Sequence, residues 1–405
     1  CFAAGFGEMG DEGRRLQSDL VAAAGGLAVA GPNSNGLLNR LDRLALWPVA
    51  DHSPERVERG PAIISQSGGI AHAFVQDRRG LAPAIVASTG NQVLLDVADW
   101  LAVLGEDPRV TAIGIFMEGP GDVAALAGAA EVTRRRNLPV VVLKSGRSAL
   151  GAEMALTHTG ALAGDDDLFD ALCERLGFTR VRSLPRLFET LKALGTWGDR
   201  IGGNRMAVLT ASGAARALFA DAAFDHGIAL PPVSDRVAAV LRPQLPEFAH
   251  VSNPLDHNAY YTGMDVLSLE NEPALHRCFR TMLEDGYDVA VMNTDGGDGE
   301  RGSPTLRAWI GAAREAATPA AIVSIMPEGM SAHVHRLCRE AGIAALQGLD
   351  DAVAAIAAAV RHGARRDAAR EDLAILPPAP DFATTRILDE EASKVLLAGA
   401  GIAFP

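Results

Sequence analysis

The sequence predicts an α/β protein built on parallel sheets, and three observations predict it. Short apolar runs such as Ala112–Met117 and Val140–Leu143 alternate with helical patterns of about 10–15 residues, which is how βαβ units read. Glycine turns close several of these runs just where a helix pattern opens, as at Ser65-Gln66-Ser67-Gly68-Gly69. The pattern also recurs loosely. Pro61–Ser65, a Ser-Gly-Gly turn and a helix return as Arg205–Thr210, Ala211-Ser212-Gly213-Ala214-Ala215 and a helix.

Taken in order, the chain opens inside what reads as a buried strand, Cys1–Phe6. A helix, Asp11–Ala24, and a strand, Leu27–Ala30, follow and end at the turn Gly31-Pro32-Asn33-Ser34-Asn35-Gly36. This reads as the second half of a nucleotide-binding α/β domain, residues 1–58, without its glycine-rich first turn. Strands at Pro61–Ser65, Ala84–Ala87, Ala112–Met117 and Val140–Leu143 place a first parallel sheet within residues 60–200. Those at Arg205–Thr210, Val289–Met292, Ala320–Ser324 and Ile343–Leu346 place a second within 204–362. One larger doubly wound sheet is the alternative. Residues 363–383, with Arg365-Arg366-Asp367 and Pro377-Pro378-Ala379-Pro380, read as a linker. Residues 384–405 open a further unit with Ile387–Leu397 and Gly401–Pro405. Both chain ends therefore read as cut.

Composition narrows the function classes. At 405 residues the chain has room for two or three domains, and 48% hydrophobic content suits packed layers. A net charge of −13 with no basic stripe argues against nucleic acid or an anionic membrane as partner. Cys1, Cys173, Cys278 and Cys338 are far apart and show neither metal-ligand spacing nor a disulfide framework, so reduced thiols and a cytoplasmic location are expected. No apolar run reaches the roughly 20 residues of a membrane-spanning helix.

The most informative segment is Thr157-His158-Thr159-Gly160-Ala161-Leu162-Ala163-Gly164-Asp165-Asp166. It reads as a small-residue loop that sets one histidine between two hydroxyls, just before an amphipathic helix through Leu168, Leu172 and Leu176. Close-approach backbone beside a helix start is a place where an anion is welcome. By itself such a histidine is ordinarily a solvated or core-capping residue.

Its context gives it a different reading. Residues 157–164 resemble the phosphohistidine loop of the ADP-forming acyl-CoA synthetases, the acetate–CoA ligases related to succinyl-CoA synthetase. Further stretches match that family in the same order. They are Gly31–Gly36, Ile64–Gly69, Ser88-Thr89-Gly90-Asn91, Phe116-Met117-Glu118-Gly119 and Asn253-Pro254-Leu255-Asp256. The resemblance implies a partial Rossmann-like CoA-binding domain followed by two flavodoxin-like domains and the opening of an ATP-grasp domain. The rest of the ATP-grasp domain is then expected elsewhere in the same protein or on a second subunit, in a homo- or hetero-oligomer.

The implied reaction converts a carboxylic acid, CoA and ATP to acyl-CoA, ADP and phosphate. A carboxylate resists thiols because its oxygen leaves poorly, whereas an acyl phosphate yields readily. A neutral imidazole nitrogen is nucleophilic near pH 7 and suits the carrying of a phosphoryl group. By resemblance His158 is that carrier, and Glu118, at the end of a strand, orients it; a solvated loop carboxylate is the plainer reading of Glu118, and Glu153 lies closer to His158 in sequence. Ser65, Gln66, Ser67, Gly68 and Gly69, with Gly160, form the implied phosphate cradle, because a strand-to-helix turn offers free N–H groups. Lys144, Arg147 and the Thr210-Ala211-Ser212-Gly213 turn are further candidates. The implied CoA contacts are Gly31, Pro32, Asn33, Ser34, Gly36, Ser88 and Asn91. Ser34 departs from the family, which usually has cysteine there. Asn253, Asp256, Tyr260 and Tyr261 are the candidate acyl-pocket residues, two of the chain's three tyrosines being adjacent in that loop. No metal site is implied within these residues; magnesium would accompany ATP in the ATP-grasp domain. The competing classes are a regulatory acyl-CoA-sensing module of a protein acetyltransferase and a simple CoA- or dinucleotide-binding protein.

Overall fold

The computed structural model describes residues 1–49, 57–159, 166–245, 247, 249–257, 272–294, 304–365 and 390–399. Residues 1–373 form one unit and 374–405 another. In the first unit the described strands fall into two sheets rather than one.

The helix α1 (Asp11–Ala24) precedes the first sheet, which comprises β1 (Leu37–Asn39), β2 (Leu44–Leu46), β3 (Gly60–Ser65), β4 (Ile85–Ser88), β5 (Val110–Met117), β6 (Val140–Lys144) and β7 (Thr179–Val181). Its order is β2-β1-β4-β3-β5-β6-β7. From β4 to β7 every pairing is parallel, while β1 runs antiparallel to both β4 and β2. The connecting helices are α2 (Gly68–Val75), α3 (Val97–Glu106), α4 (Val123–Arg135), α5 (Ala149–Thr159), α6 (Asp166–Leu176) and α7 (Leu184–Trp197). Several start on side-chain caps: Ser67, Asp122 and Ser183 each accept a first-turn N–H, and Asp96 and Asp99 form a reciprocal capping box.

The second sheet is wholly parallel, ordered β12-β11-β10-β8-β9. It contains β8 (Met206–Thr210), β9 (Leu255–Asp256), β10 (Val289–Asn293), β11 (Ala320–Ser324) and β12 (Ala344–Gln347). Around it lie α8 (Gly213–Asp225), α9 (Asp235–Leu241), α10 (Glu272–Leu283), α11 (Pro304–Ala316), α12 (Ala332–Ala341) and α13 (Leu349–Arg365). In the second unit the described element is α14 (Glu390–Gly399). Taken from β3 and from β8, both sheets follow the strand order 2-1-3-4-5 of flavodoxin-like folds. No described helix is long and apolar enough to cross a membrane.

Two expected strands are absent. Cys1–Phe6 and Leu27–Ala30 make scattered hydrogen bonds, from the Cys1 amine to Ala30 O and from Asn33 N–H to Ala3 O, without a ladder. Both segments are largely exposed, so the apolar residues that suggested burial, Phe2 and Leu27, do not find it. A third difference concerns the histidine segment. Residues 149–159 are helical, so His158 stands in the last turn of α5 rather than in a loop. The run from Ala149 to Leu156 is rich in good helix formers, and the helix continues from it through Thr157, His158 and Thr159, which have lower propensity.

The two sheets meet through α7. Its inner face packs against β3, β5 and β6, and its other side against α13 and β12. Gly114 in β5 permits the close approach, since a β-carbon there would fall 2.6 Å from Leu191 Cδ1. Phe188 of α7 stacks on Phe74 of α2 at 4.5 Å between ring centroids. Within this seam Glu189 is fully buried. It accepts from Arg79 Nε at 2.9 Å, from the Gln347 N–H at 2.8 Å, and faces Lys192 Nζ at 2.7 Å. Lys192 also donates to Arg79 O, and Arg79 to Gln347 O. Removing one charge strands the others, so Glu189→Gln is expected to destabilise the unit by about 3–5 kcal/mol. A urea unfolding midpoint indistinguishable from that of the unchanged chain would contradict this.

Candidate functional site

The carboxyl ends of β3, β4 and β5 converge on one edge of the first sheet. In this strand order the switch point lies between β3 and β5, where open α/β sheets place their ligands. Gln66 and Glu118 follow those two strands, and the Gln66 side-chain carbonyl accepts the Glu118 backbone N–H. Glu118 is 8% exposed, a carboxylate held in a largely water-excluded edge.

The Gly31–Gly36 turn folds onto the same edge. Buried Ser34 donates from Oγ to Ser88 O at 2.6 Å and accepts the Gly36 N–H at 2.8 Å. The Asn35 N–H reaches Ser88 Oγ at 3.0 Å, and its amide donates to Gly68 O at 2.8 Å. Asn91 N–H bonds Pro32 O, and Asn91 donates from Nδ2 to Glu8 at 2.6 Å. Gly90 is required here: its φ is +59°, and a β-carbon would lie 2.2 Å from Pro32 O. Three motifs far apart in sequence thus form one backbone-built cradle.

Beside it Ser65 is buried and donates to Ser67 O, and Ser67 caps α2 by accepting the Ile70 N–H. Gly68 and Gly69 make the first turn of α2, so N–H groups free of helical partners gather at the sheet edge. A cavity of about 600 Å³ opens there, lined in part by Glu8, Arg14, Gln66, Asn91 and Gly119. Glu8, Arg14 and Gln17 were not anticipated. Burial works to raise the Glu8 carboxyl, but backbone N–H groups and the Asn91 amide outweigh it and hold Glu8 below its ordinary range. Nothing in the local sequence distinguishes these residues from a solvated helix start.

The helix α5, with His158 in its last turn, packs against the Gly7–Met9 turn that borders this cavity. Gly160 lies outside the described residues. Lys144, at the end of β6, is 5% exposed and sits 5.6 Å from the Phe169 ring centroid. Burial lowers its ammonium below the usual lysine range; Asp166 opposes the shift, and Arg180 and Arg182 add to it. The start of α6 is already neutralised, because Asp166 pairs with Arg180 and Arg182.

On the second sheet the corresponding switch point joins Thr210 Oγ1 to Asn293 Oδ1 at 3.0 Å. A β-carbon on Gly213 would lie 3.6 Å from the Asp256 carboxylate, so an acid stands beside the start of α8. Asn253 uses its amide on backbone, donating to Met206 O and Pro231 O and accepting the Val208 N–H. Tyr260 and Tyr261 lie outside the described residues.

With this geometry in view, residues 58–194 match the succinyl-CoA ligase-like flavodoxin domain. Over 270 residues the chain is 33% identical to the alpha subunit of an ADP-forming acetate–CoA ligase of Pyrococcus furiosus, covering 65% of this chain and 55% of that protein. It is 34% identical over 284 residues to a trans-feruloyl-CoA synthase of an unknown prokaryote, covering 67% and 40%. The chain thus carries a succinyl-CoA ligase-like flavodoxin domain, and its relatives include ADP-forming acetate–CoA ligases. It spans 40% and 55% of these two relatives. A solved structure of acetyl-coenzyme A synthetase 1 of Ca. Korarchaeum cryptofilum, in complex with phosphate and ADP, superposes with a TM-score of 0.74. The sequences are 25% identical, and the match covers 91% of this chain and 79% of that one.

The Ser34 hydroxyl carries both a buried donor and a buried acceptor contact. Ser34→Ala is therefore expected to cost about 1–3 kcal/mol of unfolding free energy. Chemical denaturation checks it, and an unchanged midpoint would show that the cradle does not depend on this hydroxyl.

Proposed function

We propose that the chain is the CoA-binding and phosphohistidine-bearing part of an ADP-forming acyl-CoA synthetase, a cytoplasmic acid–thiol ligase. In this reading residues 1–58 complete a CoA-binding domain, 60–200 and 204–362 are the two flavodoxin-like domains, and 384–405 lead from a linker into an ATP-grasp domain. The observation that carries the reading is the single edge at which the cradle, the α2 start and Glu118 meet, with the His158 helix packed alongside.

His158 takes the γ-phosphoryl group of ATP on an unprotonated ring nitrogen, releasing ADP. A carboxylate oxygen of the acid then attacks that phosphorus, the N–P bond breaks, and an acyl phosphate forms. The CoA thiolate attacks the acyl carbon and phosphate leaves. Glu118 accepts a hydrogen bond from the other ring nitrogen, fixing the tautomer and stabilising the imidazolium character that develops. Ser65–Gly69 and Gly160 hold the phosphoryl oxygens, the free N–H groups at the start of α2 costing no reorganisation when the charge arrives. Gly31, Pro32, Asn33, Ser34, Gly36, Ser88 and Asn91 bind CoA, with Ser34 acting through the turn it shapes. Asn253, Asp256, Tyr260 and Tyr261 are the residues assigned to the acyl group, Asn253 being held by the backbone of Met206, Val208 and Pro231. Magnesium accompanies ATP in the ATP-grasp domain, either fused or on a partner subunit.

Two experiments test this. Incubating the complete enzyme with γ-labelled ATP is expected to give an acid-labile, base-stable label that His158→Ala abolishes; a label that persists in the variant removes His158 as carrier. Glu118→Gln is expected to slow single-turnover phosphorylation by about 10–100-fold, as loss of an orienting carboxylate does, with CoA affinity retained. Unaltered phosphorylation would transfer the orienting role to another group, with Glu153 next to be tried.

A further inference from the structure

A second cavity, of about 490 Å³, lies at the opposite end of the first sheet. Its floor is the Gln76–Pro83 segment that leads from α2 into β4, and its roof is α12 of the second sheet. Arg40 and Arg78 line it from below, Arg336 and Arg339 from above. The acid in this lining, Asp77, has both carboxylate oxygens engaged, accepting the N–H groups of Arg79 and Leu81 at 2.7 Å. Four arginines against one carboxylate give this lining an excess of basic residues in a chain whose net charge is −13.

His335 also lines it and is 4% exposed. Neither of its ring nitrogens has a hydrogen-bond partner. The ring rests on Gly80, where a β-carbon would fall 2.4 Å from its Cγ. A buried polar group left without a partner costs about 1–3 kcal/mol, and native structures retain few of them. A neutral ring needs one donor and one acceptor, and the four guanidinium groups of the lining can supply only the donor, so its N–H still lacks an acceptor.

We propose that this cleft binds a phosphate-class oxyanion, either inorganic phosphate or the terminal group of a phosphate monoester, which accepts the His335 N–H and is neutralised by Arg336 and Arg339. The arginines supply planar, charge-assisted donors suited to such oxygens. Burial, and then Lys192, Arg339 and Arg79, push the His335 ring down to about 3, so it is neutral at pH 7 with one N–H to give. The cleft lies at the amino ends of the strands, away from the Gln66–Glu118 edge, so its ligand is separate from the reacting phosphate.

The chain labelled with ¹⁵N-histidine tests this by NMR, the His335 ring signals being assigned by their loss in His335→Gln. Inorganic phosphate and adenosine monophosphate are titrated at constant ionic strength, with chloride as control. Saturable movement of the His335 signals is expected, with midpoints raised about 10-fold or more in Arg336→Ala/Arg339→Ala, the effect of losing charge-assisted bonds. Response to phosphate alone identifies the free anion as ligand, and response to the nucleotide alone identifies a monoester. Signals that stay fixed, that follow chloride equally, or that saturate unchanged in the double variant would overturn the site. The substituted arginines are exposed, so their loss leaves the fold intact.

Discussion

The architecture turns on one buried carboxylate. Glu189 sits on α7, the helix that both sheets use as a wall, and it gathers Arg79 from the first sheet's α2–β4 segment, Lys192 from its own helix and the N–H of Gln347 from the second sheet. Each contact ties a different element to the same two oxygens. Two isolated surface pairs would leave the sheets free to slide, because exposed ion pairs contribute little. A buried charge cannot be left partly paired, so it admits one register. The outlying bridges from Arg186 to Asp350 and Asp351 extend the same seam to the start of α13.

That fixed register has a chemical consequence. With α7 seated, β3 and β5 present Gln66 and Glu118 at the switch point, and the edge above them is free to be built from backbone. Much of the cradle is main chain: the Pro32, Ser88 and Gly68 carbonyls are bonded inwards, and short side chains such as Ser34 and Asn35 close the gaps. A cradle made this way takes serine at position 34, whose hydroxyl serves the turn as both donor and acceptor.

The long elements were legible in the sequence because their signals are long. The strands Ala112–Met117 and Val140–Leu143 are apolar runs flanked by helical periodicity, and the structure extends each by only one or two residues. The helix Asp11–Ala24 begins at acids and ends before glycines, and its limits are as expected. Strands β1, β2, β7 and β9 are two or three residues long and exist through pairing with a neighbour, a tertiary effect that no local pattern carries. The same reasoning explains the opposite error at Cys1–Phe6, where local apolarity promised a strand and no ladder partner is in place. For the site, glycine turns and the Glu118 position were readable as strand ends. Glu8 and Arg14 were not, since only the fold brings the Gly7–Met9 turn and α1 to the cavity.

The two sheets share a topology and so offer two switch points, yet only their side chains decide what each can hold. At the first, α2 opens at Ser67, Gly68 and Gly69, and the acid Glu118 follows the neighbouring strand, its backbone N–H bonded to the Gln66 side chain. At the second, Thr210 and Asn293 bond to one another across the crevice, and Asp256 already stands beside the first turn of α8. An anion at the start of α8 would meet a carboxylate, whereas the first turn of α2 is made of serine and glycine. The repeat in the sequence therefore duplicates the scaffold without duplicating the side chains at its switch point.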